Sequence, residues 1–505
     1  MCWMCVLFLS AIALQPALEA VRAYREKHAA QLLRQFVELL RIPNVSGDTD
    51  NIRRNAEALR DALAQRGVDA RLLELEGAAP LVFGELKAPG ATRTLGVYAH
   101  YDGQPVSPDE WAQSPWAPTL YTATIEAGGK PRALPAEGET LDPEWRLYAR
   151  SAADDKAPIL AALAALDALR DAGAALTSHV KFLFEGEEEA GSPHLKQYLE
   201  ANRALLDVDV WIFCDGPAHQ SGRNQLVFGA RGIAGLDLTV YGANRSLHSG
   251  HYGGWAPNPA LLLSNLLASM KDERGGVKVQ RFYDSCTPLT PTERAALAAM
   301  PPIDDDLKRE LGLLYSEGGG APYAERMMAP TLNILGISCG AVGQAARNVI
   351  PDTARATIDL RLVPGNDPDD LLDYVESHVR TRGFFIVRAE PDLMIRRVQA
   401  RIAKVTRRAG YPAARTSMDL PIVREIIAAA EQANGSPLVL NPTLGGSLPL
   451  HLFTEQLGKP VVIAPIANHD NNQHAANENL RLGALWYGID LIAALLTLPA
   501  EPGRP

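Results

Sequence analysis

The sequence predicts an α/β protein: an open, mostly parallel sheet forms the main domain, and an α+β domain (antiparallel sheet, two helices) is inserted into it. Three observations predict this. Helix-spaced and strand-like segments alternate through the first 216 residues. Strands there, such as Val210 to Cys214, are apolar on both faces, as in a sheet covered by helices on both sides. After Gly216 the strands change to apolar/polar alternation, which suits a sheet packed on one face only. At 505 residues the chain is also too long for a single core.

In chain order, EKHAAQLLRQFVELLRI (26–42) and NIRRNAEALRDALAQRG (51–67) place apolar residues at helical spacing. ARLLEL (70–75), LVFGEL (81–86) and TLGVYAHYD (94–102) follow as strands. DKAPILAALAALDALRDAG (155–173) is an Ala/Leu-rich helix ended by Gly173, and HVKFLFEG (179–186) and VDVWIFCDG (208–216) are the next strands. IAGLDLTVYG (233–242) and ARATIDLRLVPG (354–365) are the alternating strands of the insert. Its helices are NPALLLSNLLASMKD (258–272) and DPDDLLDYVESHVRTRG (367–383), the second with an acidic first turn and a basic last turn. Between them, residues 275–330 are rich in Pro and Gly. The α/β character returns with PIVREIIAAAEQANG (421–435) and PVVIAPI (460–466). The expected division is an N-terminal extension (1–19), a first part of the α/β domain (20–217), the insert (218–412) and a second part of the α/β domain (413–505).

Composition excludes several classes. With 47% hydrophobic and 21% charged residues the chain is an ordinary globular one. A net formal charge of −10 argues against nucleic acid or an anionic membrane surface as partner. Cys2, Cys5, Cys214, Cys286 and Cys339 show neither zinc-ribbon spacing nor a disulfide framework. The apolar start MCWMCVLFLSAIAL is too short to span a bilayer and carries no basic residue before Arg22, although Ala11-Ile12-Ala13 has the small-x-small form of a cleavage site. The expectation is therefore a cytoplasmic protein, with export as the alternative if residues 1–13 are a signal peptide.

FEGEEEAGS (184–192) sets three glutamates directly behind an apolar strand. A solvated acidic face is the ordinary explanation for such a run; a metal site requires ligands elsewhere. Open α/β sheets bind ligands beyond the carboxyl ends of their strands, and those ends carry His100-Tyr101-Asp102, Glu188-Glu189 and Asp215. Asp154-Asp155 before a helix and His474 complete a His/Asp/Glu set of the kind zinc takes.

The segments HYDGQPV, YARSAADDKAP, FEGEEEAGS, FCDGP, LHSGHYGG, NVIPD, DLRLVP, LGGSLP and HAANE occur in this order. With them the chain, from about residue 20 to about residue 495, resembles the co-catalytic di-zinc exopeptidases of metallopeptidase family 20, in particular their carnosinase and bacterial dipeptidase branch. The resemblance implies two Zn²⁺ per chain, with Mn²⁺ or Co²⁺ as substitutes. Asp154 would bridge them, Glu189 and His474 would complete one site, and His100 and Asp215 the other. Three carboxylates and a metal-bridging hydroxide then balance four positive charges. Asp102 would hydrogen-bond the ligand imidazole, and the Asp154–Asp155 peptide would be cis. Glu188 would be the general base, with Glu187 a solvated neighbour.

His248 would reach into a partner protomer's site to stabilise the oxyanion, implying a homodimer through the insert. Arg361, assisted by Asn348 and the Gly445-Gly446-Ser447 loop, would hold a free C-terminal carboxylate. The implied activity is hydrolysis of dipeptides or small peptides; an N-acyl or N-carbamoyl amino acid amidohydrolase of the same chemistry is the alternative. Ala149-Arg150-Ser151 stands where relatives show Gly-Arg-Gly, Ala157 replaces a glycine, and Gly103 replaces an apolar residue. No ligand is lost by these departures, but the loops around the site are reshaped.

Overall fold

Alternate residues of the central strands enter two different hydrophobic clusters. From Thr94–His100, His179–Glu185 and Val210–Phe213, the side chains of Val97, Phe182 and Ile212 join the cluster under the long helices. Their neighbours Tyr98, Leu183 and Trp211 point the other way, into a second cluster with Tyr198 and Phe453. The period of two along a strand, with both faces apolar, produces this double-sided core. On the first face, the helix Lys156–Asp171 packs between Trp3–Leu40 and Leu482–Leu496.

The computed structural model describes residues 3–499, with side chains from residue 15 onward. The expectation of an extension or signal peptide at residues 1–19 therefore falls largely on side chains outside the described residues. Among the described residues, no helix is long and apolar enough to cross a membrane.

The large sheet has eight strands. Thr94–His100 runs parallel to both His179–Glu185 and Val210–Phe213, and Val461–Ile463 extends that parallel centre. Leu81–Leu86 and Asp69–Leu73 add antiparallel strands at one edge; Gln225–Val227 and Val439–Asn441 lie at the other. A four-stranded sheet made of Asn479–Arg481, Arg146–Tyr148, Thr119–Tyr121 and Pro131–Arg132 was not anticipated from sequence. Its strands are two or three residues long, too short for a recognisable period.

The alternating strands of the insert form a separate five-stranded sheet. Gly232–Tyr241 lies between Thr353–Leu362 and Ile402–Tyr411, antiparallel to both. Thr331–Ser338 adds antiparallel at one edge, whereas Phe385–Val387 joins the other edge in parallel, so the sheet is antiparallel in all but its last pair. The helices Pro259–Ala268 and Pro368–Thr381 cover one face and build their own core with Leu236, Ile358 and Val375. The Pro/Gly-rich stretch contains three short helices, Pro291–Ala299, Asp304–Glu310 and Tyr323–Met327.

Candidate metal centre

Strand register sets the site. His100 pairs with Glu185 across one parallel ladder, and Tyr98 pairs with Phe213 across the other. The chain leaves all three strands at one level, so His100, the turn Glu188–Ala190 and Asp215 emerge side by side.

Two groups of potential ligands result. Atoms of His100, Glu188 and Asp215 lie within 4.8 Å of one another, and so do atoms of Asp154, Glu189 and His474. Asp154 joins the groups: Oδ1 is 2.9 Å from His100 Nε2 and Oδ2 is 3.1 Å from His474 Nε2. His474 Nε2 is also 3.2 Å from Glu189. All five sequence-predicted ligands therefore meet, as does Glu188, and the Asp154–Asp155 peptide is cis.

The charge balance fits added cations. His100, Asp102, Asp154, Asp155 and Asp215 are all buried. Burial pushes Glu188 well above the usual carboxylate range, and Asp215, Asp154 and Glu189 add to this against the pull of His100. Burial, reinforced by Asp154, pushes Asp215 up to about 7. The nearby full cations are engaged elsewhere: Arg150 binds Glu478, and Lys156 donates to the carbonyls of Leu39 and Ile42. Carboxylates so crowded are stable as anions when positive charge sits among them, and a His/Asp/Glu donor set suits zinc.

The surrounding hydrogen bonds hold these groups in place. Asp102 Oδ1 is 3.3 Å from His100 Nδ1, as expected, but Asp102 also accepts from the backbone amides of Glu188 and Glu189 at 3.2 and 3.0 Å. Ser46 donates to the same carboxylate at 2.6 Å. One side chain thus orients a ligand, the base candidate and a second ligand. Glu478, which sequence reasoning did not single out, is fully buried and accepts from the amides of Ser151, Ala153 and Asp154 and from Arg150. Its only sequence signal is its place at the end of HAANE. Gln473 donates to Asp154 and Gln104 to Glu189, further contacts missed in the sequence. Glu187 is not a solvated neighbour: it accepts from the Ala79 amide at 2.9 Å and lies 2.8 Å from His194 Nδ1.

The substrate-handling residues divide. Arg361 donates to Asp359 at 3.0 Å and to Ser447 Oγ at 2.8 Å. Burial pushes the nearby Tyr411 phenol up, with Glu188 adding to this and Arg361 opposing it. The Gly446 carbonyl accepts from the Arg231 amide. Asn348 is exposed, and its carbonyl accepts from the Ser249 amide. His248 is exposed as well; its ring accepts from the Gly250 amide and packs 4.4 Å from that of His251. It belongs to neither ligand group.

Two of the departures are coupled. A Cβ on Gly103 would lie 2.4 Å from Ser151 Oγ, and Ser151 occupies a left-handed conformation (φ 60°) that favours glycine. The serine at one position requires the glycine at the other. Gly103→Ala is expected to destabilise by about 1–3 kcal/mol, and Ser151→Gly in the same chain to recover most of that loss. Denaturant midpoints of the single and double variants test this; equal losses in Gly103→Ala with and without Ser151→Gly would show the positions to be independent.

Residues 96–498 match the model of "Peptidase family M20/M25/M40". The Cys-Gly metallodipeptidase of Schizosaccharomyces pombe is 25% identical over 82% of this chain and 81% of its own. Human Beta-Ala-His dipeptidase is 26% identical over 92% and 85%. Among solved structures, an M20 family metallo-carboxypeptidase from Sulfolobus solfataricus superposes with a TM-score of 0.74 at 29% identity, covering 92% of this chain and 98% of that one. With the family model spanning most of its length and two candidate groups of metal ligands beside its parallel strands, this chain is a peptide hydrolase that belongs to peptidase family M20/M25/M40.

Proposed function

We propose that the chain is a zinc-dependent cytoplasmic dipeptidase that cleaves small peptides with a free C-terminal carboxylate. The observation that carries this reading is the pair of ligand groups joined through Asp154, with the Arg361–Ser447 pair beside them. The catalytic unit comprises residues 20–217 and 413–505 together with the large-sheet strand Gln225–Val227, and the five-stranded sheet and its helices within 218–412 form the lid. Two zinc ions, held by His100, Asp154, Glu189, Asp215 and His474 and replaceable by manganese or cobalt, would acidify a water and polarise the scissile carbonyl when bound.

The protein's own groups do the rest. Glu188 takes the proton of the attacking water and returns it to the leaving amine. Asp102 fixes the tautomer of His100 and holds the Glu188–Glu189 turn through its two amides. Arg361, with Asn348 and the Gly446–Ser447 loop, orients the substrate through its carboxylate. His248 stabilises the oxyanion in the site of a second copy, a role consistent with its exposure. The edge strand Thr331–Ser338 exposes Leu335 and Ile337, which supports a homodimer formed through the lid.

A panel of free dipeptides, their C-terminal amides, and N-acyl and N-carbamoyl amino acids tests the reading. Free dipeptides are expected to be turned over best. Arg361→Ala should cost them about 2–5 kcal/mol in kcat/KM and leave the amides unchanged. Turnover confined to the N-acyl or N-carbamoyl compounds would make the chain an amidohydrolase instead.

A further inference from the structure

Two cavities that share walls lie beside the Gly445–Gly446 loop and Arg231. The smaller, 200 Å³, begins at Pro217 and Ala218, just past Asp215, and is bounded by Gly445 and Gly446. The larger, 530 Å³, shares the walls Gln220, Tyr323 and Met327 with it and extends to Arg231 and Arg326. Arg231 is only 3% exposed. Its Nη atoms donate to the Ala329 carbonyl and Thr331 Oγ1 and approach the Met327 sulfur, while its Nε has no partner.

Among the described residues, no carboxylate forms an ion pair with Arg231 or Arg326. The acids that line the larger cavity are engaged: Asp304 accepts from the Tyr323 amide at 2.8 Å, and Glu317 pairs with Lys271 at 2.6 Å. A buried guanidinium facing a cavity without a counter-charge is costly unless an anion completes it. Burial, with the neighbouring Arg361 and Arg326, pushes Arg231 down to about 10 against the opposite pull of Tyr323 and Asp359.

Position relates this cavity to the substrate. Arg231 donates through its backbone to Gly446, and Arg361 donates to the adjacent Ser447, so both arginines hold one loop. Thr331, bonded to the Arg231 guanidinium, is the cross-strand partner of Arg361. An amino acid whose α-carboxylate sits at Arg361 would direct its side chain along the loop toward Arg231.

We propose that the Arg231–Arg326 cavity is a second anion subsite that receives the acidic side chain of a C-terminal glutamate or aspartate, while Arg361 and Ser447 hold the α-carboxylate. The inference rests on the dipeptidase reading above and adds a substrate class to it. Planar guanidinium groups suit paired contacts to a carboxylate, and they discriminate against the uncharged amide of the same shape.

The experiment compares Ala-Glu with Ala-Gln as substrates of the metal-loaded enzyme. The parent should favour Ala-Glu by about tenfold or more in kcat/KM. Arg326→Gln, at a half-buried position, should bring the ratio close to one with Ala-Gln turnover unchanged; Arg231→Gln should do the same, with its melting temperature checked for folding. Calorimetry with free L-glutamate and L-glutamine gives a readout independent of turnover, and glutamate should bind the parent more tightly. Equal kcat/KM for the two peptides, or equal binding of the two amino acids, overturns the subsite. If neither peptide is cleaved and glutamate still binds the parent better than the Arg326→Gln variant, the subsite stands and the dipeptidase reading falls.

Discussion

Exhaustive chelation is expected to abolish peptide hydrolysis, and about two equivalents of divalent cation per chain to restore it. The expectation follows from His100 and Asp215 on one side and Glu189 and His474 on the other, with Asp154 presenting one oxygen toward each pair. Because Asp154 is common to both groups, the first equivalent should prepare the second site, and activity should rise more steeply than occupancy. Metal analysis alongside activity during titration provides the check. Full recovery at one equivalent, or activity that survives complete chelation, would refute the two-metal centre.

Glu188→Gln should lower turnover by about 10²-fold or more while metal content stays near that of the parent. The amide keeps the size and hydrogen-bonding reach of the carboxylate but cannot take a proton. Glu189→Gln should remove metal as well, because Glu189 lies between His474 and Gln104 in the group joined to Asp154. The comparison is informative because both residues share one turn and one clamp, the Asp102 carboxylate. General damage to that turn would affect both variants alike. Equal metal loss in the two purified proteins would mean that the roles of base and ligand are reversed.

The parts of this molecule legible in its sequence are those encoded locally. Apolar runs such as Val210–Phe213 mark the strands, and the residues that follow them occupy the strand ends where ligands gather. His100, Glu188, Glu189 and Asp215 could be named for that reason, and Asp154 and His474 from the quoted segments. Contacts that depend on distant chain could not be read. Glu478 reaches Arg150 across 328 positions, and nothing in an isolated glutamate after Ala-Ala-Asn announces four converging donors. Glu187 was taken for solvent-facing because its partners, the Ala79 amide and His194, are brought in by the fold. The cavity beside Arg231 was hidden for the same reason, since its walls join Gln220 and Arg231 to the distant stretch from Asp304 to Asn333.

The four donors converging on Glu478 also bear on synthesis. His100, Glu188 and Asp215 are all made by residue 215, whereas His474 and the carboxylate that pins the Ser151–Asp154 loop follow more than 250 residues later. Over that stretch a chain emerging from the ribosome carries a partly built, acid-rich pocket, and the contacts of Glu478 that complete it close loops of more than 320 residues. No N-terminal fragment ending before residue 478 contains the whole arrangement. Products that terminate short of that position are thus left without the complete arrangement.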